Sequence, residues 1–189
     1  MVTIGITGGI GSGKSLVSRF IRLCGYPVYD TDIKARKLME ESVTIRSGLT
    51  GLLGDVYTGN TLDRAQVASA IFGNDDLRKQ VNSIVHPVVR QDFEEWTLTR
   101  NKEFVFLESA ILFESGLEQL LDKVWTVTAP VELRITRVMN RNRCTREDVL
   151  ARIEAQMDEE EKCRRADVII YNDDCSAVIP QILAQLSSM

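Results

Sequence analysis

The chain has 189 residues, with 23 lysines and arginines against 27 acids, one histidine, four cysteines and a formal charge of −4. That length suits one compact domain with small inserted parts, and 44% hydrophobic with 26% charged residues excludes a disordered chain. No apolar run approaches the roughly 18 residues of a membrane span, and the acidic balance argues against a protein that relies on a phosphate-attracting field along a duplex, so neither membrane nor nucleic acid is an expected partner.

Val2 to Thr7 alternates, is β-branched and runs into glycines, which predicts a short buried strand. Ser15 to Cys24 is expected to form a helix stopped near Gly25, and Pro27 to Asp30 a second strand. From Asp32 to Gly116 helical periodicity dominates, with one strand expected at Phe104 to Glu108. Leu62 to Phe72 predicts one helix, and Asp75 to Arg100 two helices meeting at His86–Pro87, where the proline interrupts the pattern. Lys123 to Thr128 predicts a strand, Val131 to Asn140 a helix opened by Pro130, and Arg146 to Met157 a helix capped by Thr145. Asp167 to Tyr171 and Ala177 to Leu186 close the chain as strand and helix. Strands alternating with helices imply an α/β fold, a mainly parallel sheet covered on both faces. With no linker-like tract, the helical stretch is expected to be an insertion, suited to binding a substrate.

The strongest chemical signal is Gly8-Gly9-Ile10-Gly11-Ser12-Gly13-Lys14-Ser15, which satisfies G-x-x-x-x-G-K-[ST] between a strand and a helix. Glycines let backbone N–H groups converge on a phosphate, and the following helix adds its positive dipole end. Lys14 can reach β- and γ-phosphates, and the Ser15 hydroxyl can ligate Mg²⁺. The motif therefore predicts a nucleoside triphosphate site. Asp30-Thr31-Asp32 follows the second strand, and a carboxylate beyond a strand's carboxyl end can face a γ-phosphate. Asp32 is the candidate base for an attacking hydroxyl, with a helix cap as its competing role and Asp30 as a rival for the chemistry. Glu108, ending an apolar strand, is either a second Mg²⁺ ligand or a solvated strand-end acid. Arg134, Arg137 and Arg141 share one helical face, and Arg143, Arg146 and Arg152 follow, a cluster that suits a polyphosphate better than open solvent. His86 is either structural or a substrate contact. The acidic run Asp158 to Glu161 is expected to be solvated surface, and the cysteines, Trp96 and Trp125 to be core. No C-x-x-C pair exists and His86 stands alone, so no structural zinc site is expected. No secretory signal is visible, since glycines begin at Gly5, and four scattered thiols suit a reducing cytoplasm.

Over nearly its whole length the chain resembles the bacterial dephospho-CoA kinases. Residues Ile6 to Ser15 resemble that family's phosphate loop, and Pro27 to Asp32 with Ala35-Arg36 its Asp-x-Asp element. Val81 to Pro87 is similar to its I-x-H-P junction, Leu112-Phe113-Glu114 to the end of its P-L-L-F-E segment, and Ala166 to Asn172 to its A-D-x-x-I-x-N strand. Arg152-Ile153 with Gln156-Met157 resembles its lid helix. The resemblance implies a P-loop kinase-like three-layer fold: a nucleotide-binding core of residues 1–31, 103–133 and 158–189, a helical acceptor-binding region 32–102, and an arginine-rich lid 134–157. It implies transfer of the ATP γ-phosphoryl to the ribose 3′-hydroxyl of dephospho-CoA, with Mg²⁺ as cofactor. Asp32, Lys14 and Arg141 are then the expected catalytic residues. Gly9, Gly11, Ser12, Gly13, Lys14, Ser15, Leu16, Arg137 and Arg141 are expected on the nucleotide, and Ser15 and Glu108 on the metal. Asp32, Arg36, His86, Leu112, Phe113 and Glu114 are expected on the acceptor. Three departures stand out. Leu16 replaces a second hydroxyl residue, Ala110 a proline and Glu108 an aspartate. Another P-loop kinase, of a nucleoside, nucleotide or small alcohol, is the competing reading. A GTPase switch is disfavoured, because Asn101-Lys102 continues into Glu103-Phe104 rather than a guanine-reading N-K-x-D, and no D-x-x-G follows the loop.

Overall fold

A computed structural model describes residues 1–188 of the chain. Its elements run β1 (Val2–Thr7), α1 (Lys14–Leu23), β2 (Val28–Asp30), α2 (Thr31–Glu41), α3 (Val43–Leu53), β3 (Tyr57–Thr58), β4 (Thr61–Leu62), α4 (Arg64–Ile71), α5 (Asp75–Leu98), β5 (Phe104–Glu108), a 3₁₀ turn (Leu117–Leu120), β6 (Lys123–Thr128), α6 (Val131–Asn142), α7 (Arg146–Glu154), α8 (Glu159–Arg165), β7 (Val168–Tyr171) and α9 (Val178–Ser187). They form two compact units: Met1–Asp30 with the chain from Arg100 onward, and Thr31–Thr99.

The first unit is an α/β layer structure around a five-stranded parallel sheet of order β2-β5-β1-β6-β7. On one face Ile4, Ile6, Phe106, Trp125, Val127 and Ile170 pack against Val17 and Ile21 of α1 and Ile182 of α9. Residues of the opposite parity, Val105, Leu107 and Val124, are buried on the other face, where the Thr126 hydroxyl donates to the Lys162 carbonyl of α8. β5 is buried at every position, which is why its sequence is continuously apolar up to Glu108. Gly5 is required by close approach, since a Cβ there would lie 2.6 Å from the side chains of Leu112 and Leu121. The register sets Ile6 and Asp30 level with Glu108, so β1, β2 and β5 finish together and the phosphate loop leaves the central strand at that rim.

The second unit is helical. Val81, Val85, Val89 and Phe93, four residues apart, form the buried stripe of α5, which packs with α2, α3 and α4. Two expectations are corrected here. Pro87 lies inside one continuous helix rather than between two. An interior proline costs about 3 kcal/mol, but burying an apolar stripe on both sides of it offsets that at roughly 1.5–3 kcal/mol per side chain. A small hairpin was also absent from the expected elements: β3 and β4 pair antiparallel around Gly59-Asn60, so Leu62 belongs to a strand. Arg46 donates to Asn60 Oδ1 at 2.9 Å and to the Gly59 carbonyl, and its guanidinium lies 4.9 Å from the centre of the Tyr57 ring.

In the sheet unit, α7 ends at Glu154, so Gln156 and Met157 lie beyond the helix that was expected to contain them. Its start is as expected: Thr145 accepts from Asp148 N and Asp148 returns the bond to Thr145 N, a capping box. Trp125 is core, Trp96 is half-buried, and none of the cysteines is buried, Cys24 and Cys175 being exposed. Among the described residues no helix is long and apolar enough to cross a membrane.

Candidate active site

The loop from Gly8 to Gly13 joins β1 to α1 in the backbone shape that only glycine adopts cheaply. Gly11 and Gly13 have φ of 81° and 104°, and a Cβ on Gly13 would collide with Asn172 Nδ2. No side chain caps α1, whose first turn follows Gly13 directly, so its positive end is left for a ligand. A cleft of ≈ 240 Å³ opens on this turn, walled by Gly11, Gly13, Lys14, Ser15 and Leu16 on one side and Arg137, Val138 and Arg141 on the other. The expected nucleotide residues thus converge, except that Gly9 is buried behind the loop and Ser12 is fully buried. The Lys14 ammonium is folded back onto the loop, donating to the Gly8 carbonyl at 2.7 Å and the Gly9 carbonyl at 3.4 Å.

Ser15 Oγ donates to Glu108 Oε1 at 3.0 Å, and Glu108 is 7% exposed. A hydroxyl and a carboxylate are the hard oxygen donors that Mg²⁺ takes alongside phosphate oxygens and water. No cluster of three metal-ligating acids, histidines or cysteines exists among the described residues, and a Mg²⁺ ion shared with phosphates needs none. The residues present fit the ion.

The arginines separate by what surrounds them. Arg137 lines the cleft while donating to the Asn172 carbonyl at 3.0 Å and to Asp174 Oδ1 at 2.5 Å. Arg141, exposed at the end of α6, donates to its neighbour Asn142 and also lines the cleft. Arg134 is corrected: it is 2% exposed, donates to the Ile10 carbonyl at 2.9 Å and pairs with Glu159 at 3.0 Å. Arg146 is engaged as well, gripping Glu132 with both amino groups at the surface, which lowers that carboxyl's pKa through hydrogen bonding first and charge second. Arg143, in left-handed conformation, ends α6.

The carboxyl rim and the segment after it also differ from expectation. α2 begins at Thr31, so Asp32 lies inside its first turn and is not the residue that caps it. Asp32 and Arg36 are both exposed. His86 is half-buried in α5, and burial, then Arg90 one turn away, holds its pKa below the ordinary value, favouring neutral imidazole. Leu112 is fully buried and Phe113 lies under the Arg165 guanidinium, 4.3 Å from the ring centre. Glu114 pairs with the fully buried Lys162 at 3.0 Å and accepts from Met157 N at 2.8 Å. A buried ammonium demands a counter-charge, and Glu114 supplies it from the surface, its side chain 23% exposed. The Ala110 carbonyl completes the ammonium's shell at 3.1 Å.

Three residues that brace this site lie outside the expected set of site residues: Gln156, expected only as part of a lid helix, Glu159 and Lys162. The expected solvated run hides Glu159, whose carboxylate accepts from Gly9 N at 3.1 Å, and Gln156 accepts from Ile10 N at 2.8 Å. The available signal is a charge on an apolar stripe. Arg134 shares the buried face of α6 with Ile135 and Val138, and such a residue requires a partner elsewhere in the chain.

Comparison with known proteins adds the family. A sequence model described as dephospho-CoA kinase matches residues 2–177. A dephospho-CoA kinase of Bacteroides fragilis is 41% identical over 184 residues, covering 96% of this chain and 90% of the relative. The crystal structure of TT1252 from Thermus thermophilus superposes with a TM-score of 0.85 at 38% identity, covering 99% of this chain and 95% of that one. A shikimate kinase of Bacteroides thetaiotaomicron, at 12% identity and TM-score 0.55 with 100% and 99% coverage, shares the fold alone. A P-loop on the central strand of a parallel sheet, matched in order from end to end by these sequences, has one conclusion: the chain belongs to the dephospho-CoA kinase family, enzymes that phosphorylate dephospho-CoA with ATP as donor.

Proposed function

We propose that the chain transfers the ATP γ-phosphoryl group to the ribose 3′-hydroxyl of dephospho-CoA, with Asp32 accepting the hydroxyl proton and the cleft on α1 holding the triphosphate. The observation that carries this reading is the convergence of Lys14, Ser15, Arg137 and Arg141 on one cleft at the uncapped start of α1. Backbone N–H groups of Gly11 and Gly13 and the helix dipole bind phosphate oxygens there. Lys14 exchanges the Gly8 and Gly9 carbonyls for the β- and γ-phosphates, its ammonium already held beside the loop. Ser15 and Glu108 would hold Mg²⁺, which when bound neutralises charge on the β- and γ-oxygens. Arg141, with only a surface neighbour to release, stabilises charge on the transferring group, and Arg137 orients the nucleotide from the same helix. Leu16, 54% exposed, offers an apolar edge to the nucleotide.

On the acceptor side, Asp32, Arg36 and His86 are the residues for dephospho-CoA, with Glu114 at the surface beside them in the expected set and Leu112 and Phe113 supporting it from the core. Exposed Arg36 suits its phosphates, and neutral His86 suits a hydrogen bond. Asp32, exposed two residues beyond β2, suits a hydroxyl that must lose its proton. A small anion bound in the cleft accounts for Arg137 and Arg141 in an acidic chain, without nucleic acid or membrane. Four free cysteines suit a reducing cytoplasm as the site of action.

The test is Asp32→Asn with Asp30→Asn as reference, both assayed for ADP release with dephospho-CoA. Asp32→Asn is expected to lower kcat by about 10²–10⁴-fold with the KM for ATP within threefold of wild type. A wild-type kcat in Asp32→Asn with a collapsed one in Asp30→Asn moves the base to Asp30.

A further inference from the structure

The phosphate loop divides into two halves with different partners. Its trailing half, Gly11 to Ser15, borders the cleft. Its leading half is held from behind by protein. Gly9 N–H donates to Glu159 Oε2 at 3.1 Å, and Ile10 N–H to Gln156 Oε1 at 2.8 Å. The Ile10 carbonyl accepts from Arg134 Nε at 2.9 Å, and Arg134 Nη1 meets the same Glu159 oxygen at 3.0 Å. A side chain on Gly9 would strike the Arg134 guanidinium, so glycine here is required by the clamp.

We propose that Gln156, Glu159 and Arg134 are positioning residues for phosphoryl transfer, acting through the leading half of the loop to keep the trailing half in the shape that receives a triphosphate. None of the three lines the cleft. The leading N–H groups already have acceptors, so phosphate recognition falls to the trailing half, and the loop does not have to reorganise its front when ATP arrives. A bare carboxylate beside a triphosphate would repel it. Buried Arg134 neutralises Glu159, and the pair delivers an acceptor to Gly9 at no net charge. The acceptors are themselves anchored. Gln156 and Glu159 flank Met157, whose N–H is bound by Glu114, and Glu114 is paired with fully buried Lys162 three residues further on. The inference rests on the triphosphate occupying the trailing half.

The experiment compares steady-state kinetics of the full chain with ATP and dephospho-CoA varied separately, alongside thermal melting. Gln156→Ala removes one acceptor from the loop and leaves the Arg134–Glu159 pair intact. It is expected to raise the KM for ATP about 5- to 10-fold, the loss of one hydrogen bond, with the KM for dephospho-CoA within twofold of wild type. An ATP KM within twofold of wild type, or both KM values rising together, overturns the proposal. If Gln156→Ala lowers the melting temperature, the paired replacement Arg134→Met with Glu159→Leu decides by the same two KM values, since an apolar pair of similar volume can keep stability while removing the clamp. Lys14→Met is the reference. An unchanged ATP KM there overturns the placement of the triphosphate, whereas a raised one beside a wild-type Gln156→Ala overturns the clamp alone.

Discussion

Two of the apolar clusters in the sheet unit are built on different principles. The larger joins the strands to α1 and α9 through Ile4, Ile6, Val17, Ile21, Phe106, Trp125, Val127 and Ile170. Aromatic edges close it: Phe106 meets Trp125 at 5.6 Å and 69°, and Tyr26 meets Phe106 at 5.9 Å and 69°. The smaller buries only Ile135, Val138 and Val149 between α6 and α7, with Ile10 of the phosphate loop packed against it. Three such side chains supply roughly 5–9 kcal/mol before the entropy of ordering two helices is charged against them. Polar contacts supply the rest of that region's hold: the Thr145–Asp148 capping box, the Arg146–Glu132 surface pair, and the bonds of Arg134 to Ile10 and Glu159 and of Arg137 to Asn172 and Asp174. Arg137 and Arg141 stand on α6, beside this small cluster, while the strands that fix the loop's origin stand on the large one. The difference teaches a division of labour: the deep core fixes the strand from which the phosphate loop springs, while the shallow one, which Ile10 of that loop also touches, is the part expected to open first.

Core substitutions test that contrast. Phe106→Ala is expected to cost about 3–5 kcal/mol and to lower the melting transition of the whole sheet unit. Val149→Ala is expected to cost about 2 kcal/mol, spent locally. Amide exchange should quicken across α6 and α7 and stay unchanged in β1 and β5. Equal acceleration in all four would mean that the two clusters unfold as one and would break the comparison. Thr145→Ala, the smallest effect at about 1 kcal/mol, should loosen α7 in the same local pattern. A loss of global stability with no local exchange would assign the cap to the main core instead.

Much of this architecture is legible in the chain because it follows from local rules. β1 and β6 match their expected spans because β-branched runs buried on both faces have few other conformations. Thr145 caps α7 because its hydroxyl accepts from Asp148 N while the Asp148 carboxylate accepts from Thr145 N, a local exchange set by their spacing. The Gly59-Asn60 turn, flanked by Tyr57-Thr58 and Thr61-Leu62, is a weak signal because each strand is only two residues long. Pro87 misleads because the rule against interior prolines is local, while the stripe that overrules it draws its energy from packing against other helices.

The candidate site shows where local reading stops. By itself the sequence determined the phosphate loop, the carboxylates after β2 and β5, the alternation that yields a parallel sheet, and the family. All are encoded in contiguous residues whose backbone preferences or order suffice. Only the tertiary structure decided which of six arginines line the cleft. Arg134 and Arg141 lie on one helical face seven residues apart, yet Arg134 is sealed against Glu159 and Arg141 reaches the cleft. It alone decided, too, that Glu114 answers Lys162 and that Glu159 holds Gly9. The physical reason is that a charge's role depends on the cost of leaving it unpaired once buried. That cost is set by partners far away in the chain, which only folding brings within reach.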